Sequence, residues 1–125
     1  MNQSIKKIII STIVILILDG TYIYANKSMF QDTVVNIQRV VMQVKPIPVI
    51  LVYLLLVIVI NYFIIQKNRS HLEAFLLGFC IYGIYEGTNH AMFKKWPLQI
   101  ALMDTIWGGI LFSATTYITY ILLSL

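Results

Sequence analysis

Apolar and polar positions divide this chain into long greasy runs separated by short polar breaks. The first run covers about 5–25 and is dense in isoleucine, valine and leucine. A membrane helix needs about 20 mostly apolar residues, and this run supplies them. A second run, about 47–65, follows Pro46 and Pro48. Proline is tolerated in the first helical turn, where its missing N–H would have had no partner. The third run, about 71–93, opens on Ser70-His71-Leu72-Glu73. That is a capping-box pattern, in which Ser and Glu satisfy unpaired backbone donors at a helix start. Lys94-Lys95-Trp96 makes a tight turn, and Pro97 begins a fourth run, about 97–124. This last run is long enough to tilt or to project beyond the bilayer.

Between the first and second runs the pattern changes. Residues 26–45 are too polar to span. Phe30, Val34, Ile37, Val41 and Val44 recur at helical spacing and make one stripe, with Gln31, Asp32, Gln38, Arg39 and Gln43 largely off it. The pattern predicts an amphipathic helix over about 28–44. It lies either in the interface plane or across the ends of the spans. The expected fold is therefore an all-α membrane protein: one four-helix transmembrane domain over 1–125, with an amphipathic interfacial helix between spans one and two. Gly83 with Gly87, and Gly108 with Gly109, are expected to permit close helix approach.

Composition agrees with that pattern. Of 125 residues, 59% are hydrophobic and only 11% are charged; the mean hydropathy is +0.83. A soluble domain of this size needs a larger polar surface. The formal net charge of +4 does not imply nucleic acid, because the basic residues flank the apolar runs, where lipid headgroups lie. The expected partner is the lipid bilayer. Cys80 is the single cysteine, so it forms no intrachain disulfide and completes no paired-cysteine metal motif; it is expected to be a buried, inert thiol. The start of the chain, with Lys6 and Lys7 before an apolar core, imitates a signal peptide. Ile23 at the minus-three position before Ala25 makes a poor cleavage region, so the run is read as a retained span. Lys6, Lys7, Lys67 and Arg69 fall on one face, X. Lys27, Arg39, Lys45, Lys94 and Lys95 fall on the other, Y. This near balance gives no firm orientation.

Against this apolar background, ionisable groups inside the spans stand out, because a carboxylate in hydrocarbon is costly and has a partner or a task. Asp19 lies about six residues before the Y end of span one, Glu86 about seven before the Y end of span three, and Asp104 about seven after the Y start of span four. At 1.5 Å per residue, all three sit about 9–11 Å below face Y. Tyr82, Glu86, Asn89 and His90 share one side of span three, and Asp104, Trp107, Gly108 and Leu111 form a stripe on span four. The expected site is a polar pocket opening toward Y among spans one, three and four, with span two outside. Its residues are Asp19, Tyr82, Glu86, Asn89, His90, Asp104 and Trp107. Span two offers no functional group. Glu73 reads as a cap, Trp96 as an anchor and Tyr22 as an interface residue. The acids and His90 match no metal signature, and no nucleophile, phosphate loop or cofactor motif is present, so no cofactor is expected and an enzyme is the weaker class.

The motifs Leu18-Asp19, Tyr82-Gly83-x-Tyr85-Glu86-x-Thr88-Asn89-x-Ala91, Trp96-Pro97-Leu98 and Asp104-x-x-Trp107-Gly108 together span most of the chain. In them the sequence resembles the small four-span predicted membrane proteins, mainly bacterial, grouped as domain of unknown function 2177. The resemblance implies four spans and the same acids; it implies no activity. The family pattern usually has Asp where this chain has Glu86, and a Trp soon after the first acid, where this chain has Thr21 and Tyr22.

Two functions compete. One is transport or binding of a small polar or cationic ligand, coupled to protons or cations through the carboxylate pocket; a homo-oligomer would complete the path. The other is a structural or accessory membrane protein whose buried acids hold the bundle or an oligomer together. The first predicts an accessible cavity, the second occluded and paired acids. A membrane enzyme acting on lipid or quinone headgroups would need pocket groups at interface depth.

Overall fold

A computed structural model describes residues 2–38 and 44–125. Within them the chain is helices and turns, with no strand. Helix α1 (Gln3–Ala25) is capped by Asn2, whose side chain accepts the Ile5 N–H at 3.0 Å. Helix α2 (Lys27–Gln38) follows almost without a break. Helix α3 (Pro46–Ile60) starts on proline and continues into a five-residue π-helical turn, Asn61–Ile65. Helix α4 covers His71–Met92 and helix α5 covers Leu98–Leu123. Three segments are long and apolar enough to cross a membrane: Gln3–Ala25, Pro46–Ile65 and Leu98–Leu123.

Helix α5 is central. It packs most extensively on α4 and also on α1, while α1 in turn meets α3 and the π-turn. Ile15, Leu56, Ile60, Ile64, Ile65, Ala74, Leu111 and Phe112 form the buried core. At about 25 cal/mol per Å², such packing stabilises the helices against water but supplies little between helices in lipid, where the surroundings are equally apolar. Close approach and hydrogen bonds must therefore hold the helices together.

Close approach comes from glycines, though not all of those expected. A Cβ on Gly78 would fall 2.2 Å from the Gly108 carbonyl oxygen, and one on Gly108 would fall 2.3 Å from the Tyr82 ring. Gly109 is covered as tightly by Phe75. Gly87, by contrast, has open space where a Cβ would go, and Gly83 is only moderately close to Thr105. The α4–α5 contact is thus built on Gly78, Gly108 and Gly109 rather than on the Gly83–Gly87 pair, because α4 turns Gly87 away from its neighbour.

Hydrogen bonds join α1 to α3. The buried Asn61 amide donates to Ser11 Oγ at 3.0 Å and to the Val57 carbonyl at 2.9 Å. Tyr53 on α3 donates to Asp19 on α1. The two ties are eight residues apart on each helix, so α1 and α3 run antiparallel in register. The π-turn lies where Asn61 meets α1, with its wider i+5 bond from Gln66 N–H to the Asn61 carbonyl at 2.9 Å. Gln66 continues the network, exchanging bonds with Ser4 at 2.9 and 3.1 Å.

Other details differ from expectation. Ser70 caps the Glu73 N–H at 3.2 Å, but the Glu73 carboxylate pairs with Arg69 at 3.3 Å. Cys80 is exposed, because it lies two residues, about half a helical turn, from both Gly78 and Tyr82 and so opposite the face that packs on α5. On α2, Phe30, Val34 and Ile37 are half-buried and Thr33 is buried, with Gln31 and Asp32 exposed. The expected continuation of that stripe through Arg39, Val41 and Gln43 lies outside the described residues, and Val44 and Lys45 are not helical.

Candidate functional site

The acids of α1 and α5 share a local pattern. Asp19-x-x-Tyr22 and Asp104-x-x-Trp107 each place an aromatic donor one helical turn beyond a carboxylate, on the same side. The helices run antiparallel, and the pairs interlock. Tyr22 donates its hydroxyl to Asp104 at 2.5 Å, and Trp107 donates its indole N–H to Asp19 at 3.0 Å. The two rings stack between these bonds, with centroids 4.4 Å apart and planes 3° from parallel. Each helix thus supplies an acid to the other's aromatic donor.

Asp19 receives a second donor, the Tyr53 hydroxyl of α3 at 2.5 Å, on its other oxygen. Its carboxylate is 6% exposed and binds three helices. Glu86, 3% exposed, accepts the Trp96 indole N–H at 2.7 Å. His90 is exposed, and its Nδ1 lies 2.9 Å from the Trp96 carbonyl oxygen. The turn after α4 is therefore fastened to that helix at two points, and Trp96 is a partner of an acid as well as a residue of the turn.

Glu86 also lies near Asp104, and all three carboxyl groups surround Tyr22. Tyr82 packs its ring over Gly108, near Asp19, Tyr53 and Asp104. Asn89 is half-buried one turn beyond Glu86, and its carbonyl accepts the Phe93 N–H at 2.8 Å. Of the expected residues, Asp19, Tyr82, Glu86, Asp104 and Trp107 come together. His90 and Asn89 stand nearer the end of α4 and touch the group through Trp96 and the helix terminus.

The acids are lined by aromatic rings: those of Tyr22 and Trp107 stack beside Asp19 and Asp104, and that of Tyr82 lies over Gly108. Sequence reading missed Tyr53, Tyr22 and Trp96 as partners. Tyr22 was accessible to it: the spacing from Asp19 repeats that of Trp107 from Asp104. Tyr53 was not, because its register against Asp19 depends on how α3 packs. No three His, Cys, Asp or Glu side chains among the described residues stand close enough to hold a metal ion. Chemically, the cluster can hold a negative charge or a proton among hydroxyl, indole and carboxyl groups shielded from water.

The family described as "Predicted membrane protein (DUF2177)" matches residues 4–121. No curated protein and no solved structure matches.

Proposed function

We propose a role for a chain that belongs to the DUF2177 family of predicted membrane proteins: a small four-span accessory membrane protein whose buried acids fasten its helices to one another. The chain is integral to the membrane, as the family match and three helices of spanning length and apolarity indicate. A fourth span in α4 is supported by its 22 residues and by Leu72, Leu76, Phe79 and Ile84, which stay exposed on it while Glu86 is buried. An interfacial position for α2 is supported by its half-buried apolar stripe and its exposed Gln31 and Asp32.

Asp19 carries the reading. It is 6% exposed, and both its oxygens are taken by donors from two other helices. A carboxylate held in this way is a tie between helices, whereas a transport site needs a path to water. In lipid, where apolar packing favours no particular neighbour, such ties select one arrangement of helices.

A second reading, coupled transport or binding of a small polar or cationic ligand, is favoured by Glu86 facing Asp104. Two neighbouring carboxyl groups away from water compete for charge, and a proton shared between them would be a natural object for exchange. Asp104 is only half-buried. A homo-oligomer would supply the additional walls that four spans lack.

One experiment separates the two. Wild type, Asp19→Asn and Glu86→Gln are purified and reconstituted; thermal unfolding is measured, together with proton release as small amines and monovalent cations are added. The accessory reading expects both variants to unfold earlier and no ligand-linked release from any of them. Release from wild type that disappears in Glu86→Gln would overturn it in favour of the second reading.

A further inference from the structure

At face Y, a cavity of about 290 Å³ lies between the end of α2 and the turn joining α4 to α5. Asn36 and Ile37 form one wall; Met92, Phe93, Lys94 and Lys95 form the other. None of the carboxylates described above borders it. We propose that this cavity binds the phosphate headgroup of an anionic phospholipid.

Three features identify the occupant. The first is charge: Lys94, Lys95 and Asn36 line the cavity, and among the described residues no acidic one does. Phosphate is the anion that a pair of lysines at a membrane surface meets most often, and each lysine near such a surface strengthens binding on the order of five-fold. The second is the mixture of polarity. Ile37, Met92 and Phe93 give the same cavity an apolar side, which suits a glycerol backbone and the first acyl carbons but not a free inorganic anion. The third is position. The cavity sits where α4 ends and α5 begins, with Met92, Phe93 and Leu98 exposed around it. That is the depth at which headgroups lie beside a helical hairpin.

The wall is also connected to the acids. Lys95 precedes Trp96, whose indole holds Glu86 at 2.7 Å and whose carbonyl meets His90 at 2.9 Å. A headgroup gripped by Lys94 and Lys95 steadies the backbone that presents Trp96. Lipid binding at this cavity therefore stabilises the fold as well as anchoring it.

The test uses the full chain in a zwitterionic detergent. Phospholipid retained by the protein is counted by native mass spectrometry, and thermal unfolding is followed with phosphatidylglycerol, phosphatidylcholine or inorganic phosphate added. Phosphatidylglycerol should be retained over phosphatidylcholine and should raise the unfolding temperature. Lys94→Gln with Lys95→Gln should reduce that retention roughly ten-fold or more, two lysines each contributing on the order of five-fold. These side chains are exposed, so the double variant should fold. Lys27→Gln with Lys67→Gln removes the same charge elsewhere and should leave retention within about two-fold of wild type. Equal losses in both double variants would reduce the effect to net charge and overturn the site. Stabilisation by inorganic phosphate equal to that by phosphatidylglycerol would overturn the lipid assignment.

Discussion

Tyr22 and Trp107 stack with their planes 3° from parallel, and each donates a hydrogen bond to a carboxylate on the other's helix. The Tyr22 bond goes to Asp104 and the Trp107 bond to Asp19. An acid and an aromatic donor three residues apart, repeated on two antiparallel helices, produce this reciprocal clasp. It locks the register of α1 against α5.

The clasp should behave as one unit. Tyr22→Phe removes a donor and keeps a ring; Trp107→Phe does the same. Each should lower stability by about 1 kcal/mol. The double variant should depart from additivity by about 0.5 kcal/mol or more, because each ring positions the other. Reversible unfolding in mixed micelles measures this cycle, and strictly additive losses would mean that the two bonds are independent.

Glycine positions on α4 should differ sharply in tolerance. Gly78→Ala places a Cβ 2.2 Å from the Gly108 carbonyl oxygen, so α4 and α5 must separate. A loss of about 1–3 kcal/mol is expected. Gly87→Ala meets nothing within 4 Å and should be neutral or slightly stabilising. Thermal unfolding of the two variants side by side is the measurement.

Three hydroxyls on α5 offer a gain. Thr115, Thr116 and Thr119 are fully buried, and among the described residues their oxygens have no hydrogen-bond partner. Thr12, Thr21, Thr33, Thr88 and Thr105 instead donate to the carbonyl four residues back. Thr116→Val and Thr119→Val exchange an unpaired hydroxyl for a methyl of the same shape and should raise stability by about 1 kcal/mol each. Thr21→Val should not. Unfolding midpoints that fall for Thr116→Val and Thr119→Val would mean that these hydroxyls have partners.

Cys80 is a ready test of whether α4 crosses the membrane. It is the single cysteine, and it is exposed on the outer face of α4. In sealed vesicles a thiol facing lipid has no water with which to ionise. A water-soluble maleimide should leave it unmodified until detergent denatures the protein. A cysteine introduced at Lys95 should react in the same vesicles when face Y is outward. Rapid modification of Cys80 in intact membranes would mean that α4 lies outside the bilayer.

Apolar run length located the helices well. The starts of α3 and α4 follow from Pro46 and Ser70, whose roles are local. That Asp19, Glu86 and Asp104 come near one another was likewise legible, since rise per residue is fixed. Their partners were less so. Tyr53 and Trp96 look like ordinary aromatics, and only the packed register turns their polar tips inward, whereas Tyr22 shares its spacing with Trp107. Gly108 and Gly109 meet close neighbours as expected, but Gly87 does not: a small-residue spacing states that a helix can approach closely, not which side does. Cys80 shows the same limit, because an apolar run in a membrane helix marks the side facing lipid as readily as the core.

The clasp between α1 and α5 has a mechanical consequence. One residue of axial slip moves a helix about 1.5 Å, enough to take both of its hydrogen bonds out of range together. Gradual sliding is therefore unfavourable; the pair is either engaged or released. Helix α4 is differently attached, through the glycine contacts with α5 and the Trp96 fastening of its final turn. A molecule built in this way carries two unlike joints: a latch between α1 and α5 that tolerates no slip, and a close-fitting seam between α4 and α5, the most extensive contact in the fold, closed at its end by the Trp96 turn.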